Sequence, residues 1–566
     1  MQQKYWDIAD RVPEDYFALY PDLERLVVQI LYNRGLRAAP DIYGFLNYRW
    51  ETDDPFALKG VGQAVERLKQ AIVRGEPIAV YGDYDADGVT ASALMVQLLT
   101  ALKARAEVYI PDRFEEGYGL NNDALKKLAD QGFKVVLTVD CGIRSVKEVA
   151  YGNSLGLDII ITDHHTVGPE IPPALAAINP KQPDCTYPFK ELAGVGLAYK
   201  LAQALLSSPL NRPDGLKAEA FLDLVAIGTV ADLAPLHGEN RALVAEGLRQ
   251  LNQSLRPGLA ALMAQAGVQA NRSITATTIG FMIGPRLNAA GRLESALAAY
   301  HLLMAKSEAE AISSAAKLEL QNRDRQRLTS ETVQAARQKI LSAGPQPLYF
   351  VADPTFNPGV VGLAASRLLD EFYRPVLVAE QGPEFTKGSA RSISEFHITQ
   401  ALDQCADLLE RYGGHAAAAG FTVKNKNLPA LQERLLRVAS NQLNEPELRP
   451  TIKIDGEVKL HAVRYELVEA ILKLQPFGYG NVTPCFVSRK LQIKSIRAVG
   501  QDEQHLRLVL YDGRQNRGAI AFRQGHWAGK LSPGQYVDVV YCLEFNDWNG
   551  ERSMQLNIQD LCPSDS

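Results

Sequence analysis

The 566-residue sequence predicts an α/β class protein: two α/β modules, the first built on a parallel sheet, joined by a long helix and followed by a small β-barrel. Three observations carry that expectation. Strand-length apolar runs alternate with helical patterns from about residue 77, a stretch without Gly or Pro interrupts them, and short alternating strands with Gly and Asp turns begin at residue 451. The 46% hydrophobic and 22% charged composition is that of a globular protein. No window comes near the ~18 uninterrupted apolar residues of a membrane helix. The opening residues Met1-Gln2-Gln3-Lys4-Tyr5-Trp6-Asp7 lack the apolar centre of a secretory signal.

In order along the chain, residues 1–75 read as a helical segment with no nameable chemistry. A first module spans 76–290, where the apolar runs 78–81, 106–110, 135–139 and 157–161 are separated by helical patterns such as 91–102 and 122–132. Strands apolar on both faces and spaced by helices make a parallel sheet. Residues 292–343 contain neither Gly nor Pro and read as one long connecting helix, assigned to 291–344; about 35 residues would span roughly 50 Å. The α/β pattern resumes at 348–352 and 375–379 in a second module, 345–445. The last module, 450–566, has strands at 491–494, 506–510, 519–522 and 536–540, the pattern of an OB-type barrel.

Charge and cysteine usage point two ways. The net charge of −5 argues on its face against a nucleic-acid partner, yet an acidic cluster that holds cations is counted there as if bare. Residues 485–540 carry nine Lys/Arg against four Asp/Glu, with Tyr511, Phe522 and Trp527 available for stacking, which fits a single-strand groove. The six cysteines (Cys141, Cys185, Cys405, Cys485, Cys542, Cys562) form no Cys-x-x-Cys pair, so a reducing, cytoplasmic setting is expected.

The strongest signal is Tyr81-Gly82-Asp83-Tyr84-Asp85-Ala86-Asp87-Gly88, three aspartates at alternate positions directly after an apolar strand. Such carboxylates converge at the C-terminal edge of the strand, where α/β sheets bind ligands. Their mutual repulsion is costly unless cations neutralise it. An EF-hand loop would begin similarly but needs Glu at its twelfth position, which here is Leu94. Two further strands lead into Asp140-Cys141-Gly142 and Thr162-Asp163-His164-His165, and the apolar run 222–230 leads into Ala231-Asp232-Leu233. Asp oxygens with one His form a hard donor set suited to Mn²⁺ or Mg²⁺. Two such ions about 4 Å apart hydrolyse phosphate esters or anhydrides.

Asp163-His164-His165, with Asp85-Ala86-Asp87 upstream and Asp140 between, resembles the DHH phosphoesterase superfamily, and the order of motifs resembles its RecJ family of single-strand-specific 5′→3′ exonucleases. The resemblance extends to Ile110-Pro111-Asp112-Arg113-Phe114-Glu115-Glu116-Gly117-Tyr118-Gly119, to Gly284-Pro285-Arg286-Leu287-Asn288-Ala289-Ala290-Gly291-Arg292, to Gly388-Ser389-Ala390-Arg391-Ser392, to Gly413-Gly414-His415 and to Pro476-Phe477-Gly478-Tyr479-Gly480-Asn481. It implies DHH, DHHA1 and OB-fold modules and a DNA repair and recombination role. It also implies two divalent metals, Mn²⁺ in preference to Mg²⁺, held by Asp85, Asp87, Asp140, His164 and Asp232, with Asp140 as bridge, Asp83 as a sixth ligand and His165 beside the scissile phosphate. Arg113, Arg286, Asn288, Arg292, Asn357, Arg391, Gly414 and His415 would contact substrate phosphates, while the Ala-rich run after His415 reads as helix. Many relatives carry His at the places of Tyr81 and Asn357, so a ligand is expected to be missing at Tyr81, with Asp83 as substitute. Single-stranded DNA is the implied partner, a single-strand-binding protein and a helicase remain open as protein partners, and monomer is the default. Two other readings are a phosphodiesterase of oligoribonucleotides or cyclic dinucleotides and a non-catalytic replication scaffold.

Overall fold

A computed structural model describes residues 4–47, 53–113, 116–117, 119–210, 212–268, 273–443, 448–548 and 551–564. Phe114, Glu115 and Tyr118 of the motif after Ile110 lie outside the described residues, as does the expected boundary at 445. Two compact units are present. One comprises 50–448 with 478–481, the other 1–49 with 449–477 and 482–566.

In the larger unit the expected parallel sheet forms from Pro77–Gly82, Arg105–Tyr109, Val135–Val139 and Asp158–Thr162, extended by the unanticipated short strand Ala176–Ile178. Arg105–Tyr109 lies on one side of Pro77–Gly82 and Val135–Val139 on the other, all parallel. The crossovers therefore diverge between Pro77–Gly82 and Val135–Val139, and a doubly wound sheet binds its ligand at the crevice such a divergence opens. Ile78 and Val80 point into one apolar layer with the buried helices Ala86–Ala101, Gly194–Ser207 and Leu222–Ala231. Ala79 and Tyr81 point into the layer on the opposite face. The run before Asp232 is therefore the helix Leu222–Ala231, apolar all round because it is buried all round.

The long helix is Glu308–Ala343, 36 residues and about 54 Å. It starts later than expected: Gly284–Leu293 and Leu297–Met304 are separate short helices. Ser307 caps the long helix reciprocally with Glu310, which fixes its start. The second module is a mixed sheet in the order Leu409–Gly414, Ala418–Lys424, Phe385–Arg391, Val376–Gln381, Tyr349–Asp353, covered on one face by Val361–Phe372 and the end of the long helix and on the other by Leu428–Gln442. The Ala-rich run after His415 is thus not helix: Ala418–Lys424 is a strand paired antiparallel with Leu409–Gly414, with a register shift between Leu409 and Arg411. The closely packed sheet excludes larger side chains here: a Cβ on Gly388 would sit 2.5 Å from the Phe421 ring.

In the smaller unit Cys485–Val499, His505–Tyr511, Asn516–Ala521, Glu551–Ser564 and Tyr536–Trp548 pair in that order, and Tyr536–Trp548 closes back on Cys485–Val499. This is the expected barrel, with longer strands bent at irregularities such as Ser488/Leu491. The expected helical segment 1–75 divides between two cores. Val28, Ile30, Leu31 and Ile42 share the barrel's core with Phe486 and Leu508, and the strand Tyr5–Ile8 pairs with Thr451–Ile454. Val61, Ala64 and Leu68 of the helix Val61–Arg74 pack instead under the parallel sheet.

Candidate metal centre

Asp83, Asp85 and Asp87 occupy the turn from the strand Pro77–Gly82 into the helix Ala86–Ala101. Asp85 caps that helix, its Oδ1 accepting from the amides of Asp87 (2.9 Å) and Gly88 (3.1 Å). Asp87 is buried and accepts from two amides at the start of the helix Gly194–Ser207, Gly194 to Oδ2 (2.7 Å) and Val195 to Oδ1 (2.8 Å). Asp140, directly after Val135–Val139, is buried at φ 65°, a left-handed conformation that Asp tolerates better than most residues. Gly194 is required beside it, because a Cβ there would lie 2.6 Å from Asp140 Oδ1.

His164 brings the groups together. Its Nε2 lies 3.1 Å from Asp140 Oδ1, 3.7 Å from Asp232 Oδ2 and 4.0 Å from Asp87 Oδ2. Three overlapping sets have ligand atoms within 4.8 Å of one another: Asp87, His164 and Asp232; Asp83, Asp85 and Asp140; and Asp140, His164 and His165. Every residue expected to hold metal is therefore in one cluster, and Asp140 belongs to two of its sets. Asp83 Oδ1, Asp140 Oδ1 and His164 Nε2 are buried without a hydrogen-bond partner. Orphaned buried donors and acceptors are costly, and a cation accepted by these sets would satisfy them.

The electrostatics agree. Burial and then the neighbouring carboxylates push Asp87 up to about 7 and Asp232 up to about 9. The same causes raise Asp83 and Asp140. Burial, reinforced by His165, holds His164 down at about 3, so its imidazole is neutral and its ring nitrogen is available to a cation. The cluster fits divalent cations through this oxygen-rich donor set. His165 is anchored separately: Asp163 Oδ1 accepts from the His165 amide (3.0 Å) and faces its Nδ1 at 2.7 Å. Asp163 Oδ2 accepts from the Ile143 amide (2.9 Å). Burial alone would raise Asp163, but His165 outweighs it and holds the carboxyl low; the same contact raises His165 against its own desolvation.

Tyr81 is no missing ligand. Its side chain faces the opposite core, stacked on Tyr109, with its hydroxyl donating to Gly119 O (3.0 Å), because strand alternation turns it away from Gly82 and the aspartate turn. Asn288 braces the turn itself, its Oδ1 accepting from the Ala86 amide (2.8 Å). Arg286 donates to Glu319 (2.8 Å) and to Met282 O (2.9 Å), which ties it to the long helix. Asn357 Oδ1 accepts from the Gly359 amide (2.8 Å), and Gly359 O accepts from Arg292 (3.4 Å).

Arg113 lies over the Tyr84 ring at 4.9 Å, and Arg391 packs on Gly362 at the start of the helix Val361–Phe372. Arg292 is lowered to about 10 by burial and by the positive charges of Arg113, Arg325 and Arg391. Sequence reasoning missed Arg325: on a polar helix it reads as a solvated side chain, yet its Nε is buried without a partner. Gly414 and His415 sit at the tip of the hairpin between Leu409–Gly414 and Ala418–Lys424. The hollow beside that hairpin, about 380 Å³, is lined by Gly413 with Lys387, Ser389 and Arg411 rather than by those two residues.

Family comparison matches the DHH family, N-terminal domain, to residues 77–229, the DHHA1 domain to 345–441 and the RecJ OB domain to 454–560. The single-stranded-DNA-specific exonuclease RecJ of Bacillus subtilis is 40% identical over 95% of this chain and 68% of its own length. That of Dickeya dadantii is 34% identical over 96% and 97%. The chain belongs to the RecJ family. The crystal structure of RecJ from Thermus thermophilus in complex with Mn²⁺ is 31% identical, with TM-score 0.82 over 99% of this chain and 80% of that one. Its Mg²⁺ complex matches with TM-score 0.77 at 30% identity, covering 99% and 79%. The Thermus thermophilus protein thus holds Mn²⁺ and Mg²⁺, and the cluster around Asp140 and His164 offers ligand atoms for such ions.

Proposed function

We propose that this chain is a metal-dependent exodeoxyribonuclease that degrades single-stranded DNA from its 5′ end, releasing 5′-mononucleotides in DNA repair and recombination. The observation that carries the reading is the convergence of buried, unpartnered Asp83, Asp140 and His164 atoms in a chain of the RecJ family. We assign catalysis to 76–290, 5′-end binding to 345–445 and strand binding to 450–566. Asp83, Asp85, Asp87, Asp140, His164 and Asp232 would hold two divalent cations, with Asp140 between them. Bound there, the cations lower the pKa of the attacking water and offset charge on the phosphoryl group.

The rest is done by protein groups. The Gly194 and Val195 amides fix both oxygens of Asp87, so the site is organised before substrate arrives. Asp163 orients His165 and favours its protonated form, placing a donor beside the scissile phosphate. Burial and the positive charges of Arg113, Arg325 and Arg391 disfavour the charged form of Arg292, a cost that a polyanion removes.

The test is a 5′-phosphorylated, 3′-labelled oligonucleotide with Mn²⁺, alongside blunt duplex and EDTA controls. Metal-dependent shortening from the 5′ end with the duplex spared is expected. An intact strand would defeat the reading.

A further inference from the structure

Leu233 follows Asp232 at the end of the helix Leu222–Ala231 and adopts φ 62°. The helix closes there with the Leu233 amide donating to Val230 O (3.2 Å) and the Ala234 amide to Thr229 O (3.1 Å), a paired hydrogen-bond pattern whose left-handed position is normally glycine. A leucine gains from that strain only through what its side chain touches. Here it touches little: Leu233 is 67% exposed, while Ala234 and Leu236 beside it are buried.

Among the described residues, the other non-glycine left-handed ends of α-helices have a compensation that Leu233 lacks. Lys103 is a solvated cation at a helix C-terminus, where the dipole favours it. Tyr373 packs against the core of its module and donates to Glu395 (3.1 Å). Leu233 has neither charge nor packing, and it stands one residue from Asp232, whose Oδ2 is 3.7 Å from His164 Nε2. Strain kept beside a reactive cluster without an internal gain points to an external contact. An apolar side chain next to a phosphodiester site finds its largest apolar surface on a DNA strand in the face of a nucleobase.

We propose that Leu233 is a substrate-positioning residue that packs on the nucleobase next to the scissile phosphate and so sets that nucleotide's register against the metal cluster. The proposal rests on the exonuclease reading above. Leu233→Gly removes the packing and relieves the strain together, so it should melt no lower than wild type while kcat/KM on single-stranded DNA falls about five- to tenfold, the size expected for one apolar side chain on a base. Leu233→Ala should lose activity similarly yet melt lower than Leu233→Gly, because it keeps the left-handed alanine.

The decisive substrates are oligonucleotides with tetrahydrofuran abasic sites at the first or second 5′ nucleotide. Wild type and Leu233→Gly should cut at least one of these at the same rate, since the base that Leu233 touches is gone. Equal rates on the normal strand, or an equal loss on normal and abasic strands, would overturn the base packing. A wild-type protein inactive on every strand would instead defeat the exonuclease reading, and a hydrolysed strand with an unaffected Leu233→Gly defeats only this inference.

Discussion

Asp140 shows how much of the centre is decided by single atoms. Its Oδ1 is buried, unpartnered and 3.1 Å from His164 Nε2, and Asp87, Asp85, Asp232 and Asp83 all push its carboxyl up. A carboxyl raised by folding destabilises the metal-free protein as pH rises above the unfolded value, because folding then opposes ionisation. Asp140→Asn should therefore lose activity at least about a hundredfold, yet raise the metal-free melting temperature at neutral pH by about 2–4 °C. Scanning calorimetry in EDTA checks the second half, and Mn²⁺ should stabilise wild type more than the variant. Arg325 makes the complementary case. Its Nε is buried without a partner, its Nη2 donates to Asn322 Oδ1 (2.9 Å), and burial, then Arg367 and Arg286, lower its pKa. Arg325→Ala should raise KM for single strands about tenfold with kcat little changed, and reduce the slope of log affinity against log salt by about 0.7. The aspartates were legible in the sequence because alternate acidic residues after an apolar strand have few other uses. Arg325 was not, since nothing local separates an arginine with a buried guanidinium from one facing water.

Elements were legible where periodicity is strong and ambiguous where burial is complete. The parallel strands appear within a residue or two of their apolar runs, as at Val135–Val139. The long helix was overextended because absence of Gly and Pro permits a helix without requiring one. Its true start carries a sequence signature, Ser307 with Glu310 three residues on. The Ala-rich run after His415 differs for the opposite reason: alanines have high helix propensity, but pairing of Ala418–Lys424 with Phe385–Arg391 and Leu409–Gly414 overrides it. The long helix is tied to Gly284–Leu293 by Arg286 and Glu319, side chains only 12% and 11% exposed. Glu319→Ala leaves that guanidinium without its carboxylate and should cost about 2–3 kcal/mol of stability, toward the lower end for breaking a buried pair. Denaturant unfolding monitors it, and Arg286→Met combined with Glu319→Leu should recover most of the loss.

Across the whole molecule the net charge of −5 leaves room for a local excess of the opposite sign, nine Lys/Arg against four Asp/Glu over residues 485–540. The barrel's first two strands place Arg497 directly opposite Arg507, and both are exposed. Like charges facing each other across an antiparallel pair destabilise a sheet. That arrangement is retained at no loss only where a polyanion neutralises it, and the neighbouring strands of OB barrels are where such ligands bind. Replacing both arginines by alanine should leave the melting temperature of the barrel unchanged or higher. It should weaken binding of long single strands and flatten the salt dependence by about 1.4, or about 0.7 for each phosphate no longer neutralised. Turnover of a saturating short oligonucleotide should stay at the wild-type rate, because the cluster around Asp140 and His164 lies in the other unit. Fluorescence anisotropy across a salt series separates the outcomes: an unchanged slope would take Arg497 and Arg507 off the path of the strand, whereas a fall in kcat would mean that the barrel does more than hold it.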